Sequence, residues 1–156
     1  MSIACPEPLA AVVAHYEKLS LKKLDHLGDI YAPSVHFRDP IREANGLGSL
    51  RALLEDILKR MDAWSLEVID AQGDEHSGFL LWTLLYTFRG KDRSVTGTSH
   101  LKFASDGRIS HRQDHWDATA LYAEIPLLGA LLRFFRRRLK ITSESTTPTR
   151  RVPQHG

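Results

Sequence analysis

The chain of 156 residues holds one cysteine, Cys5, and no apolar stretch near the ~20 residues that a membrane-spanning helix requires. A single cysteine excludes an internal disulfide framework and fits a reducing compartment. Cys5 has neither a second cysteine nor a base close by in sequence, so it is given no chemical role. The N-terminus lacks a basic segment followed by an apolar core, the mark of a secretory signal. These absences together predict a soluble, cytoplasmic protein. Neither sign of charge prevails: 21 Lys and Arg against 19 Asp and Glu leave +2, too little to indicate nucleic acid as a partner. The sequence also lacks a glycine-rich phosphate loop, a Gly-x-Ser-x-Gly elbow, a paired-cysteine motif and internal repeats, and no cofactor is expected.

What is present is enough apolar sequence for the core of one domain. Leu9, Val12, Val13, Tyr16 and Leu19 recur at helical spacing after Pro6 and Pro8, which suit a helix start. A second helix is predicted with Leu24, Leu27 and Tyr31 on one stripe, ended by Pro33. Val35 to Asp39 reads as a short strand, and a loop with Gly46 and Gly48 follows. Ser49 is placed as the N-cap of a third helix that carries Leu50, Leu53, Leu54, Ile57, Leu58 and Met61. Beyond Trp64 the pattern changes to strands at Trp64–Ile69, Phe79–Phe88, Ser94–Phe103 and Ile109–Trp116. Turns are predicted at Gly90-Lys91-Asp92 and Ser105-Asp106-Gly107. Helices first and hairpin-linked strands afterwards indicate an α+β domain over residues 1–125. A basic, apolar helix is expected within 126–140, and the Ser/Thr/Pro-rich residues 141–156 are expected to be disordered.

One residue draws attention before any comparison. Asp39 precedes Pro40, and a proline forces the residue before it into an extended conformation. A carboxylate held there serves either as a proton-transferring base or as a hydrogen-bonded turn former.

The order of elements resembles the nuclear transport factor 2-like superfamily, which includes SnoaL-like polyketide cyclases and ketosteroid isomerases. The resemblance covers about residues 9 to 125 and rests on Ala11-Val12-Val13-Ala14-His15-Tyr16, Tyr31-Ala32-Pro33, Phe37-Arg38-Asp39-Pro40 and Gly107-Arg108-Ile109. It implies a cone, in which a curved antiparallel sheet wraps the N-terminal helices and leaves an open-ended pocket for a small hydrophobic ligand. It also implies a homodimer. In ketosteroid isomerases the aspartate of the Asp-Pro pair is the general base, and a first-helix tyrosine and a protonated aspartic acid form the oxyanion hole. By that resemblance Asp39 matches the base and Tyr16 the tyrosine. Ser99 stands where the isomerases have the acid, a departure that argues against steroid isomerisation.

Alternation along the strands predicts which side chains face the cone's interior. With Ser99 inward, Gly97, Leu101 and Phe103 follow it, while His100 and Lys102 face out. Alignment with the isomerase pattern puts Ser110, Arg112, Asp114 and Trp116 inside, and Trp82, Leu84 and Tyr86 point the same way. The predicted pocket is therefore Tyr16, Asp39, Trp82, Tyr86, Ser99, Arg112, Asp114 and Trp116. Arg112 and Asp114 form a buried ion pair, or Arg112 binds an anionic ligand group, or Asp114 joins Asp39 in acid–base work. Tyr16 is a core tyrosine or an oxyanion donor. His111 and His115 share a strand face but lie about 13 Å apart along it, so no metal site is predicted.

Two functions stay open. One is an isomerase or lyase-type enzyme that removes a proton from a hydrophobic carbonyl compound with Asp39 as base. The other is a non-catalytic module of the same fold that binds a ligand or a protein. The basic apolar segment 127–140 either packs on protein, including a second subunit, or lies on an anionic membrane surface.

Overall fold

The computed structural model describes residues 7–119. Cys5, the helix expected within 126–140 and the tail expected at 141–156 lie outside the described residues. The chain runs through α1 (Leu9–Glu17), a 3-10 helix (Leu21–Asp29), β1 (Tyr31–Arg38), β2 (Glu43–Asn45) and α2 (Leu47–Lys59). It continues through β3 (Ala63–Gly73), β4 (Ser77–Phe88), β5 (Lys91–Phe103) and β6 (Ile109–Trp116). The α+β order read from the sequence is the one observed. No described helix is long and apolar enough to cross a membrane.

The six strands form one sheet in the order β2-β1-β6-β5-β4-β3. Every neighbouring pair is antiparallel except β1 and β6, which run parallel, with Phe37 beside Arg112. The sheet is thus mixed rather than wholly antiparallel as expected. Parallel neighbours need a long crossover, and the whole of β2 to β5 lies between β1 and β6.

Four local differences from the sequence reading have physical reasons. Tyr31 does not extend the second helix but opens β1, and the 3-10 helix stops at Asp29. Pro33 lies inside β1 in the stretch between the Tyr31 and His36 pairings, where no ladder partner is made and no N–H is needed. The helix expected to be capped by Ser49 starts at Leu47, because Asn45 pairs with His36 and Gly46 turns the chain at φ +84°. The β4–β5 turn sits on Arg89 and Gly90, one residue early, with both at positive φ as a two-residue hairpin requires. Ser110 does not face in. Phe103 pairs with Ile109 and Lys102 with His111, so Ser110 is an unmatched bulge residue that donates to the Lys102 carbonyl at 3.1 Å.

One face of the sheet holds the core. Leu9, Val12 and Tyr16 form the buried stripe of α1, and they meet Val35, Phe37, Leu80, Leu101 and Ile109 from the strands. The 3-10 helix adds Leu24 and Leu27, and α2 adds Leu50, Leu54 and Leu58. Burying each such side chain contributes about 1.5–3 kcal/mol. Among the described residues four polar side chains are buried: Ser99, Arg112 and Asp114 on β5 and β6, and Asp39 just past the end of β1.

Candidate functional site

Ser99 on β5 and Asp114 on β6 sit directly opposite one another in the antiparallel register and face the core. The Ser99 hydroxyl donates to Asp114 Oδ1 at 2.6 Å. It accepts in turn from the Tyr16 hydroxyl at 3.2 Å and from Trp82 Nε1 at 2.9 Å. A serine oxygen has one proton and two lone pairs, so its capacity is filled.

Trp82 reaches Ser99 because its cross-strand neighbour is Gly97. A Cβ on Gly97 would lie 2.6 Å from Trp82 Cζ2 and 2.9 Å from the His115 carbonyl oxygen. The indole therefore lies over bare backbone, which brings its N–H down to the serine.

Arg112 and Asp114 are two apart on β6, hence on one face, and they pair through two parallel bonds. Nε donates to Oδ1 at 2.9 Å and Nη2 to Oδ2 at 2.6 Å. The third guanidinium nitrogen, Nη1, donates to the Tyr31 hydroxyl at 2.8 Å. The guanidinium carbon stands 4.6 Å from the Tyr16 ring centre and 5.1 Å from that of Phe37. Burial is the largest single influence and disfavours the charged guanidinium, but Asp114, through its charge and its hydrogen bonds, together with Tyr16 and Tyr31 outweighs it and holds the Arg112 pKa well above its ordinary value. Burial also pushes the Tyr16 phenol well above its ordinary value, only partly offset by Arg112, so Tyr16 stays protonated.

Asp39 has a different arrangement. It follows the last residue of β1, and its Oδ1 accepts from the backbone N–H groups of Ile41 at 2.8 Å and Arg42 at 2.6 Å. Its own N–H donates to the Arg42 carbonyl at 2.9 Å. These are the bonds of a hydrogen-bonded turn former, all of the side-chain ones made through Oδ1.

The structure thus brings Tyr16, Trp82, Ser99, Arg112 and Asp114 into one network. It leaves the other three predicted pocket residues outside it: Asp39 in its turn, Tyr86 half-buried opposite Trp64 and Arg93, and Trp116 half-buried opposite Gly97. The histidines His111 and His115 are exposed on the opposite sheet face. Among the described residues no three His, Cys, Asp or Glu side chains are grouped to hold a metal ion.

Beside the network is a cavity of ≈ 20 Å³ lined by His15, Tyr16, Leu19, Tyr31, Leu54, Leu66 and Arg112. That space accepts about one oxygen-sized group. A larger cleft of ≈ 230 Å³ lies elsewhere, between the 3-10 helix and α2, with Leu24, Leu27 and Leu47 on its walls and the Asp25–Arg51 ion pair at its rim. None of the network residues reaches it, so the small cavity is the chemically equipped one.

Two of its walls, His15 and Tyr31, are not among the pocket residues expected from the sequence. His15 stands edge-to-face against Tyr31 with ring centres 5.9 Å apart. Burial first, then the nearby charges of Arg112 and Lys23, lower its pKa to about 4, so the imidazole is neutral at physiological pH. The signal for Tyr31 was Pro33: an extended Ala32 before a proline is incompatible with a helix continuing through Tyr31.

Structural comparison finds the same fold in proteins of low sequence identity. A ketosteroid isomerase-like protein from Catenulispora acidiphila, solved with trimethylamine, superposes with a TM-score of 0.65 at 14% identity, over 78% of this chain and 93% of that one. A proposed SnoaL-like polyketide cyclase from Jannaschia sp. gives 0.65 at 11% identity, over 74% and 92%. A LEH-like epoxide hydrolase from M. tuberculosis gives 0.61 at 15% identity, over 83% and 95%. No curated protein sequence matches the chain. The family model of the SnoaL-like domain matches residues 12–112, from the buried stripe of α1 to the arginine of the ion pair. The chain belongs to the SnoaL-like domain family.

Proposed function

We propose that this SnoaL-like domain binds a small, largely apolar molecule whose one polar group enters the cavity beside Arg112, without proton transfer by a carboxylate. One observation carries the reading: neither buried carboxylate lines the cavity, Asp114 has both oxygens bonded, and Asp39 is held in a turn through Oδ1. Asp39 Oδ1 accepts two backbone N–H groups at 2.8 and 2.6 Å. Asp114 accepts Ser99 and both parallel bonds of Arg112 at 2.6 to 2.9 Å. A base must reach the proton it removes, and neither residue lines the cavity. The apolar walls from Leu19, Leu54 and Leu66 favour a ligand with hydrocarbon surface. The trimethylamine complex of the Catenulispora relative agrees with a small organic molecule held by this fold.

The test is a thermal-shift screen of small apolar compounds that carry one oxygen function, with product analysis on every stabilising compound. The expected result is stabilisation of the same size in the wild type and in Asp39→Asn, with no product from either. A product whose formation stops in Asp39→Asn would establish the proton-transfer reading instead.

A further inference from the structure

The protons of the site are unevenly used. Tyr16 gives its hydroxyl proton to Ser99, and Ser99 gives its own to Asp114. Trp82 is also committed to Ser99. The Tyr31 hydroxyl, in contrast, only accepts: an arginine has no lone pair to offer, so in the 2.8 Å contact Nη1 is the donor and the phenol oxygen the acceptor. Among the described residues no acceptor takes the Tyr31 proton. The side chain is fully buried (0% exposed) and lines the ≈ 20 Å³ cavity. A phenol oxygen that accepts from Arg112 still has its own proton to give, and the cavity that Tyr31 lines is where an acceptor for it fits.

From this we infer that Tyr31, rather than Tyr16, is the hydrogen-bond donor to the ligand, and that the ligand presents a neutral carbonyl oxygen to it. The inference rests on the binding reading above and assigns its donor and its ligand class. Donation from Arg112 draws charge from the phenol oxygen and strengthens the O–H as a donor in a low-dielectric site. The Arg112 charge is already balanced by Asp114 through two bonds, and His15, with its pKa lowered to about 4, carries no charge at neutral pH. An anionic ligand would therefore enter with its charge unbalanced, which burial penalises heavily. A carbonyl needs only the one donor. The cavity volume suits its oxygen, and the apolar walls from Leu19, Leu54 and Leu66 suit the adjoining carbon skeleton.

The probe is [2-13C]acetone, titrated at pH 7 and followed by 13C NMR, with [1-13C]acetate as the anionic comparison. The wild type is expected to bind acetone saturably, with a downfield carbonyl shift and more tightly than acetate. Tyr31→Phe should weaken acetone roughly tenfold, the loss of one hydrogen bond to a neutral acceptor, and abolish the downfield shift. Tyr16→Phe should weaken it less. Leu19→Phe, which enlarges one apolar wall of the cavity and keeps both hydroxyls, is a second variant that reads the same site and should also weaken acetone. Acetone binding that is equal in Tyr31→Phe and wild type, or lost more in Tyr16→Phe than in Tyr31→Phe, overturns the donor assignment and leaves the binding reading standing. Tighter binding of acetate overturns the neutral-ligand assignment. No saturable binding of either probe to the wild type overturns the binding reading and the inference with it.

Discussion

Tyr16 donates its hydroxyl to Ser99 Oγ at 3.2 Å, across 83 residues of sequence. That contact ties α1 to the middle of the sheet and commits the tyrosine's proton to the serine. Ser99 is the node, since Trp82 and Asp114 meet on the same oxygen.

Replacing the node should therefore be costly out of proportion to its size. Ser99→Ala deletes one oxygen and leaves the buried Tyr16 O–H and Trp82 N–H without an acceptor. Urea unfolding is expected to show a loss of about 2–4 kcal/mol. Unchanged stability would mean that the three contacts carry no net energy.

The ion pair should behave as a unit. Asp114→Asn leaves the Arg112 guanidinium buried without a counter-charge, and the expected loss is about 3–5 kcal/mol. The double variant Arg112→Met, Asp114→Leu removes both charges and is expected to be more stable than Asp114→Asn alone. A denaturant series over the three proteins decides the point.

Gly97 is the position where a single methyl group should reach the network. Its Cβ would lie 2.6 Å from the Trp82 ring and 2.9 Å from a backbone oxygen, so the indole must shift. Gly97→Ala is expected to cost about 1–3 kcal/mol. One indole N–H resonance should move as the Trp82–Ser99 bond is strained.

The pH dependence follows from His15. Its folded pKa of about 4 lies below the ordinary 6.5, so between those values the unfolded chain binds more protons than the folded one. Stability from this group is fully present above pH 6.5 and is lost as the pH falls towards 4, by up to ~3 kcal/mol. The difference between wild type and His15→Gln across that window isolates the effect from the carboxylates. The variant should show a flatter profile, and parallel profiles would contradict the assignment.

Much of this was legible in the sequence, for reasons that can be located. The stripe Leu9, Val12, Tyr16 and the alternation of Gly97, Ser99, Leu101 are short-range periodicities, and they placed α1 and β5 with the correct inward faces. Asp-Gly at 106–107 marked its hairpin through the positive φ that Gly107 adopts. Ser110 was misplaced because a bulge shifts the alternation by one residue, and nothing local announces it. The parallel pairing of β1 with β6 is a matter of topology across more than seventy residues, beyond any local pattern. The candidate site was harder still. Sequence could name Tyr16, Ser99, Arg112 and Asp114, but not the direction of each proton, and that direction separates Tyr16 from Tyr31.

Asp39 gives a paired prediction. Asparagine keeps the Oδ1 that accepts the Ile41 and Arg42 N–H groups, whereas alanine removes it. Asp39→Asn is expected to cost less than about 1 kcal/mol and Asp39→Ala about 1–2 kcal/mol in unfolding measurements.

The central claim, that the inward carboxylates organise the fold and do not move substrate protons, has a direct test. Each carbonyl compound that stabilises the protein is incubated with it in D2O, and incorporation of deuterium next to the carbonyl is followed by NMR. The account predicts exchange at the rate of buffer alone, in wild type and Asp39→Asn alike. Protein-dependent exchange in the wild type that disappears in Asp39→Asn, with binding retained, would contradict it.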